Sequence, residues 1–115
     1  MERLMERFGE KGLKKFLCDE EVALVKSYKT AAGFWATKEA FSKAIGTGIG
    51  VECSFKDIKI YKTDKGAPKL ALSNSLVERF DILNAALSIT HDGEYAISVV
   101  TVECNSPTTD KVKQF

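Results

Sequence analysis

The fold is decided by the stretch Trp35-Ala36-Thr37-Lys38-Glu39-Ala40-Phe41-Ser42-Lys43-Ala44-Ile45-Gly46-Thr47-Gly48-Ile49-Gly50, in which good helix formers run into a glycine-rich turn. At about 3.6 residues per turn, Trp35, Glu39 and Lys43 fall on one face of the predicted helix. Lys38 falls on a different face that is otherwise apolar. The stretch therefore predicts a helix that carries one carboxylate and two ammonium groups in its second half.

Two interpretations of these charges stay open. Glu39 and Lys43, four residues apart, could be a solvated ion pair contributing about 0.3 kcal/mol. Alternatively, they could belong to a ligand site, because the glycines from Gly46 to Gly50 let a backbone approach a ligand and amides exposed there would suit a phosphate. A helix-capping turn explains Gly46 equally well. The turn is neither a Walker loop nor a Rossmann fingerprint, since it follows a helix and does not open one.

Length and composition indicate one soluble domain. The chain has 115 residues, of which 44% are hydrophobic and 29% charged. Its net charge of +1 gives no general attraction to nucleic acid or to an anionic membrane. No apolar run approaches the roughly 20 residues of a membrane helix and no signal-peptide pattern opens the chain, so a cytoplasmic location is predicted.

The cysteines predict no disulfide framework and no zinc site. Cys18, Cys53 and Cys104 are odd in number, widely spaced and without a CxxC motif. Free thiols are therefore expected, and Cys53 and Cys104 are expected to be small buried hydrophobic residues.

Hydrophobic periodicity predicts helices first and antiparallel strands later, hence an α+β fold with helices packed on an antiparallel sheet. The predicted elements are an amphipathic helix over residues 1–17 broken at Gly9 or Gly12, a short helix capped by Asp19, the central helix after a polar break at 27–30, a strand at 55–62, a turn at 64–66, a strand at 68–72, a helix at 74–83, and strands at 85–90 and 95–102 joined by 91–94. The domain is expected to span 1–104, followed by a polar tail at 105–115.

Three blocks of this sequence resemble the bacterial phosphopantetheinyl transferases of the holo-acyl-carrier-protein synthase family. The first is Trp35 to Ala44 with Gly46-Thr47-Gly48-Ile49, which contains the family signature W/F-x-x-K-E-x-x-x-K. The others are Phe55-Lys56-Asp57-Ile58 with Gly66 and Pro68, and Leu87-Ser88-Ile89-Thr90-His91 with Tyr95-Ala96. Their order and spacing are those of the family.

The resemblance implies transfer of the phosphopantetheine arm of coenzyme A to a serine of apo acyl carrier protein, with Mg²⁺ as cofactor, in fatty-acid biosynthesis. The signature glutamate, the metal ligand of the family, maps onto Glu39, and the signature lysines map onto Lys43 and Lys38 as further catalytic residues. The implied nucleotide contacts are Gly46, Thr47, Gly48, Thr90 and His91, although a single histidine between two strands is often structural.

The resemblance also implies partners. Family members dock an acidic carrier protein on a basic N-terminal helix, which makes Arg3, Arg7, Lys11 and Lys14 candidates, whereas their spacing alone fits a solvated helix face equally well. A homotrimer with active sites between subunits is expected. The alternative is a module that binds coenzyme A or acyl carrier protein without catalysis.

The sequence departs from the family pattern in three places. The family opens with a Gly-Ile-Asp-Ile strand whose aspartate is the second metal ligand, and this chain has no counterpart, since Met1 to Phe8 resembles the helix that follows that strand. The expected domain is therefore N-terminally truncated. Phe34 stands where arginine is usual, and Ala67 stands where a lysine is expected between Gly66 and Pro68.

Overall fold

A computed structural model of the protein describes residue 9 and residues 11–105, and its architecture is α+β, as predicted. In chain order the elements are helix α1 (Asp19–Val22), helix α2 (Tyr28–Ala44), a 3-10 turn (Phe55–Asp57), strands β1 (Ile58–Lys62) and β2 (Pro68–Leu72), helix α3 (Asn74–Phe80), and strands β3 (Ile82–Asp92) and β4 (Tyr95–Cys104).

The start of the chain is described only in part. Residues 11–13 are helical, and Gly9 has a φ of 52°. The rest of the helix predicted over residues 1–17, including Arg3 and Arg7, lies in residues 1–8 and 10, outside the described residues. The polar tail predicted from Asn105 likewise lies outside them beyond residue 105.

Helix α1 begins one residue earlier than predicted. Its N-cap is Cys18, not Asp19, and the Cys18 backbone N–H donates to Glu21 Oε1 over 2.9 Å. A glutamate at the third helical position thus satisfies a helix-start amide that has no partner within the helix.

Helix α2 also begins earlier, at Tyr28 after the N-cap Ser27, so the predicted polar break at 27–30 is shorter than expected. The helix ends where the sequence predicts. Ile45 is the C-cap, and Gly46 follows with a φ of 86°, a left-handed conformation that favours glycine. This 17-residue helix packs against the β3–β4 hairpin, and its Phe34 and Phe41 reach the β1 residues Ile60 and Ile58 in the core.

The strands form two antiparallel hairpins. In the first, Ile58 pairs with Leu72, and in the second, Leu87 pairs with Val100. The predicted antiparallel strands are confirmed, and among the described residues β1–β2 and β3–β4 form two separate two-stranded sheets. Helix α3 stands between β2 and β3 in the chain, so those strands pack together without pairing in one ladder.

Two predicted boundaries are corrected. His91 and Asp92 belong to β3, not to the turn, because the connection to β4 needs only Gly93 and Glu94, and Gly93 has a φ of 60°. Helix α3 ends at Phe80, not Leu83. Asp81 adopts the left-handed conformation (φ 51°), and the next residue already starts strand β3.

Helix α2 contributes residues to two hydrophobic clusters. One is built around Phe16, Leu17 and Phe34, and the other around Phe41, Ile58 and Leu76. The cysteines are free thiols, as predicted; Cys53 is fully buried, and this burial raises the pKa of its thiol, whereas Cys104 is only half-buried. Among the described residues, no helix is both long and apolar enough to cross a bilayer.

Candidate active site

The outward stripe of α2 carries Trp35, Glu39 and Lys43, as the spacing predicts. Trp35 is 37% exposed and packs edge-on against Phe16, with ring centroids 5.0 Å apart. Glu39 is half-buried and Lys43 is exposed. No salt bridge joins Glu39 to Lys43 within the described part of the chain. The Glu39 carboxylate is therefore available to bind a cation, and the Lys43 ammonium group is available to bind an anion.

Lys38 points the other way, into the molecule. It is fully buried, and its Nζ donates to Glu21 Oε1 at 2.8 Å, to the Phe16 carbonyl at 2.8 Å and to the Phe55 carbonyl at 2.9 Å. An ammonium group has three N–H donors, so all of them are used within the chain. Burial lowers the pKa of Lys38, and the Glu21 carboxylate partly offsets that shift. The predicted catalytic role of Lys38 stays a prediction, while its contacts make it a structural residue.

The partner of Lys38 was missed by the sequence reasoning, which treats Glu21 only as an acid in the first turn of α1. Glu21 is fully buried, and besides Lys38 it accepts from the backbone N–H groups of Cys18 and Ile60, each at 2.9 Å. The pair therefore joins α1, α2 and β1. A single cation on an apolar helix face indicates that a buried acid lies nearby. Because Glu21 and Lys38 are 17 residues apart in the chain, local spacing could not identify Glu21 as that acid.

The glycine turn after α2 acts as a cap. The N–H of Gly46 donates to the Lys43 carbonyl at 3.0 Å, and those of Thr47 and Gly48 donate to the Ser42 carbonyl at 3.1 and 3.0 Å. Thr47 Oγ1 also donates to the Gly48 carbonyl at 2.7 Å. Of the two interpretations of this turn, the contacts favour helix capping, because the amides that would hold a phosphate are already paired.

A second candidate site is a cleft of about 210 Å³ between α2, the β1–β2 hairpin and β3. It contains His91 together with Gly66 and Pro68, which belong to the sequence blocks quoted above. The full lining is Thr30, Gly33, Phe34, Lys62, Gly66, Pro68, Ile89 and His91. Thr90, the neighbour of His91, does not line it, because successive residues of a strand point to opposite faces.

Two of the three departures from the family pattern, Phe34 and Ala67, differ in their relation to this cleft. Phe34 gives the cleft an apolar wall, at a position where the family that this sequence resembles usually has arginine. Ala67 is exposed in the β1–β2 connection, where its N–H donates to Thr63 Oγ1 at 3.1 Å. The cation at this end of the cleft is instead Lys62.

The cleft and the Glu39 stripe lie on different sides of α2. At about 100° per residue, Thr30, Gly33 and Phe34 are rotated roughly 180°, 120° and 140° from Glu39 around the helix axis. His91 lies against the Gly33 side. One chain therefore presents its candidate metal ligand and its histidine in different directions.

The donor set at Glu39 fits Mg²⁺ in part. Carboxylate oxygen is the ligand type that Mg²⁺ prefers, and proteins commonly hold this ion by one or two carboxylates plus phosphate oxygens. In the described part of the chain, no group of three or more His, Cys, Asp or Glu residues could hold a metal ion. Glu39 would supply one ligand, and the remaining ligands would come from elsewhere.

Comparison with known proteins identifies the family. Residues 1–100 match the model of the 4'-phosphopantetheinyl transferase superfamily. A holo-[acyl-carrier-protein] synthase of Sulfurimonas denitrificans is 57% identical over 103 residues, which are 90% of this chain and 85% of the relative. One from Campylobacter fetus is 57% identical over 97 residues, 84% of each chain.

Solved structures agree in fold. The holo-[acyl-carrier-protein] synthase of Helicobacter pylori in complex with coenzyme A superposes with a TM-score of 0.85 at 45% identity, covering 89% of this chain and 90% of the other. The synthase of Bacillus anthracis in complex with CoA (3',5'-ADP) superposes with a TM-score of 0.73 at 34% identity, covering 88% and 87%. By its sequence and by its fold, the chain belongs to the 4'-phosphopantetheinyl transferase superfamily.

Proposed function

We propose that the protein transfers the 4'-phosphopantetheine arm of coenzyme A to a serine of apo acyl carrier protein, giving the holo carrier and adenosine 3',5'-bisphosphate. Membership of the superfamily and identity to holo-[acyl-carrier-protein] synthases support this activity. The observation that carries the site assignment is Glu39, a half-buried carboxylate that has no ion-pair partner among the described residues. We propose fatty-acid biosynthesis as the process and the cytoplasm as the location.

In this reaction the carrier serine oxygen forms a bond to the phosphorus that bears the pantetheine, and the anhydride bond between the two phosphates of coenzyme A breaks. The electron pair leaves on the 5'-phosphate of the nucleotide, and the serine proton goes to a base. Phosphoryl transfer of this kind depends mainly on alignment and charge neutralisation. The chain must therefore supply negative ligands for a cation, positive charge for the leaving phosphate and a base.

Glu39 and Lys43 fit these roles. The Glu39 carboxylate would bind Mg²⁺, which when present neutralises pyrophosphate charge, or accept the serine proton directly or through water. Lys43, exposed one turn further along the same stripe, would stabilise the charge that develops on the leaving phosphate. Lys38 would contribute indirectly, since its buried contacts with Phe16, Glu21 and Phe55 fix the rotation of α2.

The cleft around His91 would take the nucleotide end of coenzyme A. His91 and Lys62 place one titratable ring and one cation at an opening of about 210 Å³, and Phe34 and Pro68 add apolar surface for a base. Thr90 would have to contact the ligand from the other face of β3 or serve a neighbouring copy. Gly46, Thr47 and Gly48 would contact the nucleotide only by close backbone approach, because their amides are paired.

The different directions of Glu39 and His91 support active sites between subunits, and the resemblance to the family is the basis for proposing a homotrimer. A single coenzyme A molecule would then use Glu39 of one copy and the cleft of the next. The outward face of the β3–β4 hairpin supplies apolar surface for such packing, since Ile97 and Val99 are 55% and 56% exposed and Tyr95 is 78% exposed.

Docking of the carrier protein would use the basic residues at the start of the chain. Lys11 and Lys14 are exposed in the described part, and Lys14 Nζ lies 3.9 Å from Asp19 Oδ1. Arg3 and Arg7 lie outside the described residues. An acidic carrier would compete with Asp19 for Lys14, and mixed charge on this surface would make binding salt-dependent.

Mass spectrometry of apo acyl carrier protein, incubated with the protein, coenzyme A and Mg²⁺, tests the function. Transfer adds the mass of one phosphopantetheine arm, and omitting Mg²⁺ in the presence of a chelator is expected to abolish it. Binding of coenzyme A or carrier without any mass increase would support the alternative, a non-catalytic binding module.

A further inference from the structure

We propose that Gly33, in the middle of α2, is a specificity-determining residue for coenzyme A, because its missing side chain lets His91 and Ile89 lie directly against the helix and so fixes the shape of the cleft. This inference rests on the proposed function, in which the cleft takes the nucleotide end of coenzyme A. It assigns a role to a residue that offers no chemical group of its own.

The close approach is visible in the distances. A Cβ atom placed on Gly33 would lie 3.0 Å from Ile89 Cγ2, 3.3 Å from His91 Cε1 and 3.6 Å from His91 Nε2. Carbon atoms in favourable contact are about 3.5–4.0 Å apart. Any side chain at this position therefore displaces both residues by a few tenths of an ångström.

The hairpin is also hydrogen-bonded to α2 at Gly33. Its carbonyl accepts from Thr37 Oγ1 at 2.8 Å and from Ser98 Oγ at 3.2 Å, and the two hydroxyl oxygens are 2.9 Å apart. Ser98 is the β4 residue opposite Ile89. Displacement of Ile89 would therefore strain the hydrogen bonds that attach the hairpin, and the accompanying shift of His91 would change the shape of the cleft.

Backbone conformation does not explain the glycine. Gly33 does not have a positive φ. It lies inside a regular helix, where glycine makes the helix less stable than alanine would. Alanine would thus favour the helix while narrowing the cleft. The close contacts of Ile89 and His91 give a physical reason for glycine at this position.

The test is Gly33→Ala, assayed for transfer and by calorimetric titration with coenzyme A. We expect the KM and Kd for coenzyme A to rise about tenfold, with kcat changed less than about twofold and the KM for carrier protein unchanged. The Tm should stay the same or rise, because alanine favours the helix. A purely structural role would instead change stability and both KM values together.

Lys29→Ala is the control, since Lys29 is an exposed residue in the first turn of the same helix and does not line the cleft. It should leave both constants unchanged. Gly33→Ala combined with Ile89→Ala removes the 3.0 Å contact and should recover at least half of the lost affinity.

His91→Ala separates this inference from the proposed function. If His91→Ala weakens coenzyme A binding and Gly33→Ala does not, the role of Gly33 is wrong while the function stands. If wild type shows no transfer, the proposed function fails, and the calorimetric comparison of wild type with Gly33→Ala still decides whether Gly33 controls the cleft.

Discussion

Helix α2 is involved in two pairs of oppositely charged residues, and the two pairs differ in burial and in contact. Lys38 and Glu21, 17 residues apart in the chain, form a buried ion pair at 2.8 Å. Glu39 and Lys43, at the spacing that favours an ion pair on a helix, form none among the described contacts.

This difference in burial and pairing indicates which charged groups can contact a ligand. A buried pair is fully hydrogen-bonded and neutralised, so neither member can serve a ligand without uncovering the other. Charges left apart on a half-exposed stripe can each bind something else. Lys38 and Glu21 therefore have a structural role, whereas Glu39 and Lys43 stay the candidates for the chemistry of the proposed function.

The largest effect is expected from Glu39→Gln, which removes the charge and keeps the shape. Loss of a metal ligand or base should lower kcat for transfer by roughly 10³-fold or more, with the Tm changed by less than about 2 °C. Mass spectrometric transfer assays and thermal melts measure both quantities. Glu78→Gln, an exposed glutamate on α3, is the control. Transfer by Glu39→Gln at the wild-type rate would remove the metal assignment.

Lys38→Met tests the buried pair. It leaves the Glu21 carboxylate buried without its counter-charge, which should lower the free energy of unfolding by about 3–5 kcal/mol in urea titrations. Glu21→Gln combined with Lys38→Met removes the stranded charge and keeps an acceptor for Ile60 N–H, so it should recover part of the loss. Full stability of Lys38→Met with reduced transfer would instead make Lys38 a substrate contact.

Lys43→Met should reduce kcat by about 10²-fold while leaving stability unchanged, because an exposed ammonium stabilises charge that appears only during the reaction. Steady-state kinetics with coenzyme A varied separate kcat from KM. Lys29→Met, an exposed lysine in the first turn of the same helix, is the matched control. Equal losses in both variants would show a general charge effect and not a site at Lys43.

The smallest effect concerns Asp57, an acid that accepts hydrogen bonds from hydroxyl and amide groups and forms no salt bridge in the described part of the chain. Hydrogen bonds from Ser54, with N–H at 2.9 Å and Oγ at 3.2 Å, lower the pKa of Asp57 below its ordinary value. The unfolded chain therefore binds the proton more readily, so the contribution of Asp57 is present above about pH 4 and is lost as the pH falls below it.

Melts of wild type and Asp57→Asn between pH 6 and pH 3 measure this contribution. The variant should lose about 0.5–1 kcal/mol at pH 6 and show a shallower fall in stability on acidification. Glu78→Gln should keep the wild-type slope. A variant whose acid slope equals that of wild type would exclude Asp57 as a source of the pH dependence.

Sequence reasoning predicted the local structure best. The β1–β2 hairpin follows from alternating apolar residues around Asp64 and Gly66, and the end of α2 follows from Gly46. It failed where tertiary packing overrode local pattern, as in the extension of β3 through His91 and Asp92. The division of the strands into two sheets is a detail that the local pattern does not specify. The family itself was identifiable from three short blocks.

By itself, the sequence determined the elements, the family and the outward stripe of Glu39 and Lys43, because helix periodicity and turn chemistry act over a few residues. Only the tertiary structure decided that Lys38 is buried against Glu21, that the amides after Gly46 cap a helix, and that Gly33 lies beneath His91. These facts depend on which distant segments exclude water from a given side chain. Burial is a property of the packed chain, and no local spacing records it.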